Sequence, residues 1–246
     1  MPVPTPDPDA QAAESDITRH VFIDNSNISI TAKTAQDGTY NPAVRVSASA
    51  LTGLMERGHD GPAREGDAAV GLRVVAGSRS TNGDDAWSAH YQALGYRAEV
   101  RSRDPRTGSE VGVDAAVHAA GLQLVLDHRD AAPGSHTLVL VTGDGNGNNG
   151  LSSFPRLARA AASCGFRVEV WSWRSSMNFG EYGRVVDEFP DGRVTLHLLD
   201  AYRHHVCYLE TGYVARHASR PGSDPGARSG IDDTSWRGRG LGLAAR

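Results

Sequence analysis

The chain is poor in cysteine. Its 246 residues hold two, Cys164 and Cys207, too few for a disulfide framework and without the paired spacing of a zinc site. Both fit a reducing compartment, where a small buried thiol is common. No apolar run approaches the roughly 20 residues that cross a bilayer. Residues 1–13 are Pro-rich and acidic, without the apolar core of a secretory signal. The expectation is a cytoplasmic protein, with a nuclear location open, and no membrane partner. Positive charge is not in excess either: 25 Lys and Arg against 29 Asp and Glu leave a net charge of −4. That balance argues against tight non-specific binding to a phosphate backbone. It leaves phosphate chemistry open, because carboxylates that hold metal count as negative and bound ions reverse their local sign. The G-x-S-x-G elbow, the Walker-type Gly-Lys-Ser/Thr and a G-x-G-x-x-G after the first apolar run are all missing.

What is present is a soluble-protein composition, 39% hydrophobic and 22% charged, long enough for one sizeable domain with tails. Residues 1–17 are rich in Pro, Asp and Ala and aperiodic, so they read as a disordered tail. Residues 216–246 read the same way and close on Trp236-Arg237-Gly238-Arg239-Gly240, a short Arg/Gly segment. A solvated tail, weak RNA contact, a protein partner and a homodimer all remain open for it. Between the tails, residues 18–215 alternate strand and helix signals. Strands are expected at 20–24, 72–76, 96–100, 137–142, 166–171 and 194–199. Helices are expected at 48–55, after Asp84 or Asp85 with Trp87, Tyr91 and Leu94 inside, at 113–127, and after Pro155 with Phe154, Leu157, Ala158 and Ala161 inside. Such repetition implies a parallel sheet with helices on both faces, a three-layer α/β/α domain. The stretch 42–71, Gly-rich around Gly58-His59-Asp60-Gly61-Pro62, reads as an insertion or mobile loop.

Three acidic motifs stand on apolar runs or at a helix start: Val21-Phe22-Ile23-Asp24-Asn25-Ser26-Asn27, Val111-Gly112-Val113-Asp114, and Leu140-Val141-Thr142-Gly143-Asp144-Gly145-Asn146. In an open parallel sheet the loops after the strands' carboxyl ends line one crevice. Asp24 and Asp144 would meet there, with Asp114 at a nearby helix start. Gathered carboxylates repel unless a cation lies between them, and hard oxygen ligands suit Mg²⁺ or Mn²⁺. Such a site suggests phosphodiester chemistry. Each motif has a plainer reading: an Asx turn at Asp24, a Gly/Asn-rich turn at Asp144, and a dipole-favoured acid at Asp114. Glu110 would complete an acidic quartet, and His118 is a ligand, a base or a packed side chain. Arg79, Arg101, Arg103 and Arg106 follow the second and third strands and either clamp phosphate or are ordinary surface charge. Arg174 follows Trp171-Ser172-Trp173, where Trp173 either stacks a base or belongs to the core.

The order of these motifs resembles the NYN domain. Phe-Ile-Asp-Asn-Ser-Asn, Gly-Val-Asp and Val-Thr-Gly-Asp-Gly-Asn come in sequence, with Ala93-Leu94-Gly95-Tyr96 and Gly165-Phe166-Arg167-Val168-Glu169-Val170-Trp171-Ser172-Trp173 at matching places. The resemblance covers about residues 18–210. It implies a PIN-like (Rossmann-like) α/β/α fold and a Mg²⁺- or Mn²⁺-dependent ribonuclease. Endonucleolytic action is expected, on single-stranded RNA if the cleft is narrow, because its bases can splay. By this resemblance Asp24, Asp114 and Asp144 are the catalytic, metal-holding acids, with Asn146 at a further ligand position; Glu110, read from its own place before Asp114, is expected as another ligand. Asn27, Arg79, Arg103 and Arg174 would bind RNA. Two positions depart from the family pattern: Ala120 stands where many relatives carry a further Asp, and Asn146 where many carry a second Asp after the fourth strand. These departures keep a second reading open, a catalytically weak RNA-binding or scaffold domain.

Overall fold

The computed structural model describes residues 17–58, 69–79, 85–104, 106–107, 110, 112–143 and 153–210. The expected tails, apart from Ile17, lie outside the described residues, as do Asp144 and Asn146. In chain order the elements are β1 (Thr18–Asp24), α1 (Asn25–Thr31), β2 (Val44–Val46), α2 (Ala48–Arg57), β3 (Ala69–Ser78), α3 (Ala86–Ala93) and β4 (Arg97–Arg101). There follow α4 (Val113–Asp127), β5 (His136–Val141), α5 (Phe154–Ser163), β6 (Arg167–Ser172), α6 (Phe179–Glu188) and β7 (Val194–Leu198). A short turn of tighter helix, Leu199–Tyr202, leads into α7 (Arg203–Val206) and β8 (Cys207–Leu209). Six strands form one sheet in the order β4-β3-β1-β5-β6-β7, and every adjacent pair is parallel. This is the three-layer α/β/α architecture that the β-α alternation implies. β2 and β8 pair antiparallel as a small separate ribbon.

Alternation along the strands divides the core in two. Phe22, Val74, Leu138, Leu140, Val168 and Val170 face a layer made by α4, α5 and α6. Val21, Ile23, Val75, Val139, Val141 and Trp171 face α1, α2, α3 and α7. Over residues 21–23 and 138–141, β1 and β5 are apolar on both faces, as central parallel strands are. α5 carries its stripe as expected: Phe154, Leu157, Ala158 and Ala161 are all buried. Burial of a side chain such as Leu157 contributes about 2 kcal/mol. Ser153 caps this helix at the Arg156 N–H, and Gly165 stops it at a φ of 87°.

Several expectations change. The stretch 42–71 is not simply a loop: β2 and α2 fill residues 44–57, and α2 buries Leu51, Leu54 and Met55. Residues 59–68 lie outside the described residues. In α3, Tyr91 is buried but Leu94 is 37% exposed, because the helix ends at Ala93 and Leu94 turns outward as its cap. Asp85 precedes α3 without a side-chain capping bond, and its carboxylate faces Arg79 at 3.5 Å instead. Trp173 belongs to the core: it is 1% exposed, donates to the Ile28 carbonyl at 2.9 Å, and lies under the Arg203 guanidinium.

Candidate active site at the carboxyl edge of the sheet

From β1 the chain moves outward to β3 and β4, then returns to place β5 on the other side of β1. The strand order therefore reverses between β1 and β5. In open α/β sheets the loops leaving two such strands diverge and open a crevice at their carboxyl ends. Asp24 ends β1 at that point, next to the pair Ile23–Val141. Gly143 lies two residues beyond Val141, and Asp144 would follow it.

The Asp24 carboxylate is 4% exposed and accepts the Asn27 N–H at 3.0 Å, which makes it the N-cap of α1. Capping satisfies one of the amides that a helix start leaves without an intrahelical partner. The turn expected at Asp24-Asn25-Ser26-Asn27 is thus the first turn of a helix. Ser26 anchors that helix to the sheet, its hydroxyl accepting the Ser78 N–H at 3.0 Å. Asn27 leans across to β5: its Oδ1 lies 1.7 Å from where a Cβ on Gly143 would sit. Only a glycine lets Asn27 approach this closely.

Asp114 sits in the first turn of α4, half-buried. Gly112 starts this helix in the left-handed region at a φ of 75°, a conformation that a side chain would strain. Val113 and Val117 share the core cluster of Phe22, Val74 and Ala76, so α4 begins over the carboxyl ends of β1 and β3. Glu110 is held just before it. Its Oε1 accepts the Ser78 hydroxyl and the Arg103 guanidinium, the latter at 2.9 Å. Arg103 also donates to the Arg79 carbonyl at 3.0 Å. These bonds tie the segment before α4 to the end of β3.

Of the expected RNA-contacting residues, Arg79 is exposed and ion-paired with Asp85, while Arg103 is half-buried against Glu110. Arg174 is exposed after β6, its backbone N–H donating to Asp200. Arg79 and Arg103 therefore spend part of their charge on the chain's own carboxylates. His118 lies half-buried on α4, and burial, with Arg156 nearby, holds its pKa below the usual value. Among the described residues no group of three or more His, Cys, Asp or Glu is gathered as a metal cage. Of the expected ligands, Asp24, Asp114 and Glu110 are described, and Asp144 and Asn146 lie outside the described residues.

Strand alternation adds side chains that the motifs did not single out. Ser78, Asp24, Thr142 and Ser172 continue the parity of Ala76, Phe22, Leu140 and Val170, so they form a polar row on the α4 side of the sheet's edge. The Thr142 hydroxyl is fully buried and has no hydrogen-bond partner among the described residues. A buried hydroxyl without a partner costs about 1–3 kcal/mol. The signal for this row was available: each is a polar residue closing an apolar strand in phase with Asp24. The donors are all oxygen, which suits a hard divalent cation and not a thiophilic one. No protein-family model, no curated protein and no solved structure matches the chain.

Proposed function

We propose that the protein is a Mg²⁺- or Mn²⁺-dependent ribonuclease that cleaves single-stranded RNA endonucleolytically at the carboxyl edge of its sheet. The observation that carries this reading is the position of Asp24: a buried carboxylate at the strand-order reversal, with Asn27 packed against the glycine just before Asp144. The resemblance to NYN domains supports the same residues. Asp24, Asp114 and Asp144 would hold the ion, with Asn146 and Glu110 at its margin. When bound, the cation lowers the pKa of an attacking water and neutralises charge on the departing oxygen.

The chain's own residues do the rest. Capping by the Asn27 N–H fixes the Asp24 carboxylate in one orientation, so little reorganisation is needed on binding. The Asn27 amide sits beside the strand end, where it can hold a phosphate oxygen. Arg79, Arg103 and Arg174 line the approach and draw in the backbone. A crevice of this kind favours single strands, whose bases can splay apart. Cleavage of a labelled single-stranded RNA with Mg²⁺, Mn²⁺ or EDTA tests the proposal. Metal-dependent cleavage that Asp144→Asn abolishes supports it, and full activity in that variant overturns it.

One observation favours the weaker reading, an RNA-binding or scaffold domain. Glu110 is already engaged by Ser78 and Arg103, and Ala120 and Asn146 supply no carboxylate. That reading predicts RNA binding insensitive to Mg²⁺ and no turnover.

A further inference from the structure

A cavity of about 680 Å³ opens at the opposite edge of the sheet, by the amino ends of β1, β5, β6 and β7. Among the described residues, the second helical layer does not extend over β7. The core cluster on that face reaches Val139 and Trp171 but holds no residue of β7. The sheet there presents Thr137, Glu169, Thr195 and His197 to the cavity, a polar lining where a covered sheet would be apolar.

The charges on this lining do not cancel. Arg19 forms a two-pronged bond to Glu169, 2.8 Å on each arm, and spends its other contacts on the Met55 carbonyl. Arg193 is paired with Asp191. Arg57 and Arg167 remain, both exposed, and neither has an ion pair or hydrogen bond among the described residues. Among the described residues the cavity thus carries more arginine than carboxylate, in a chain whose net charge is −4. His197 stacks on Trp171 at 4.4 Å and 18°, giving the cavity a flat aromatic wall.

We propose that this cavity binds a phosphate-bearing small molecule of mononucleotide size. Guanidinium forks and threonine hydroxyls match the oxygens of a phosphate. The His197–Trp171 stack suits a planar base, and the volume lies in the usual range for a small-molecule site. An apolar ligand would strand the cavity's arginines, and the two carboxylates of the described lining, Glu169 and Asp191, are already paired with Arg19 and Arg193.

Isothermal titration of the full-length chain with AMP and with inorganic phosphate tests this site. The proposal predicts saturable AMP binding that weakens with added salt, and weaker binding of phosphate alone. Arg57→Ala with Arg167→Ala removes two exposed side chains that make no bond among the described residues, so its urea unfolding curve should match the wild type. Its AMP affinity should fall by about tenfold or more. Asp24→Asn, at the far edge, should bind AMP as the wild type does. No saturable AMP binding, an affinity unchanged in the double variant, or phosphate bound as tightly as AMP would overturn the proposal.

Discussion

Asn27 occupies the space that any side chain at position 143 would need: a Cβ on Gly143 would lie 1.7 Å from Asn27 Oδ1 and 2.2 Å from its Cγ. Two parts of the chain more than a hundred residues apart are fitted together by the absence of one carbon. Gly143→Ala should therefore push Asn27 away and shift the start of the segment that carries Asp144. The expected loss in RNA cleavage is on the order of 10²-fold in kcat/KM, with about 1–3 kcal/mol of stability from overpacking. Pairing it with Asn27→Gly should restore the stability but not the activity. Urea unfolding and cleavage rates across the four-member cycle measure this coupling.

Glu110 serves the fold as well as the edge of the site. Glu110→Ala leaves the Ser78 hydroxyl and the Arg103 guanidinium without that shared acceptor. The variant should lose about 1–3 kcal/mol in urea denaturation. A loss of cleavage much larger than that loss of folded population would mean that Glu110 also acts at the reaction centre.

His20 is buried beside His136 and His128, its Nδ1 accepts the Leu72 N–H at 3.0 Å, and its pKa is lowered to about 4. Burial is the main cause, and the two neighbouring imidazoles add to it. Because the folded value lies below the ordinary 6.5, the unfolded chain binds the proton first. Stability should be unaffected by this group above about pH 6.5 and should decline as pH falls toward about 4, by on the order of 3 kcal/mol. His20→Asn should flatten that decline in thermal unfolding measured across the same range. An unchanged pH slope in the variant would contradict the assignment.

Arg19 and Glu169 form a half-hidden pair between β1 and β6, with side chains 9% and 17% exposed. Arg19, opposite, holds the Glu169 carboxyl below its ordinary range against the burial that would raise it. Glu169→Gln should cost about 3 kcal/mol, since it leaves Arg19 buried without its counter-charge. Replacing both, Arg19→Met with Glu169→Leu, should recover most of that loss in thermal unfolding.

Much of the fold was legible because local pattern and burial agree. The Val113–Asp127 helix came out at its observed ends, and the strand at 137–142 differs from β5 by one residue at each end. Where local signals mislead, the cause is visible. Asp24-Asn25-Ser26-Asn27 carries turn-forming residues, yet the same Asp24 that suggests a turn caps a helix. The Phe179–Glu188 helix is hidden in the sequence because Gly180 and Gly183 dilute its periodicity, though Asn178 caps it well. β2 and β8 are three residues each, and their pairing joins positions too distant for any local pattern to register. At the site, the placement of Asp24 at a sheet edge could be read from its apolar strand. The bond from Ser78 to Glu110 and the approach of Asn27 to Gly143 could not, since each depends on how strands are ordered in space.

The most direct test of the central claim is Asp24→Asn in an RNA cleavage assay with Mg²⁺ and Mn²⁺. Asparagine is as good an N-cap as aspartate, so the variant can keep the bond to the Asn27 N–H and the fold while losing the charge that would hold the cation. The account predicts a wild-type unfolding curve, retained RNA binding and cleavage reduced to background. Cleavage at the wild-type rate in a folded Asp24→Asn protein would contradict it.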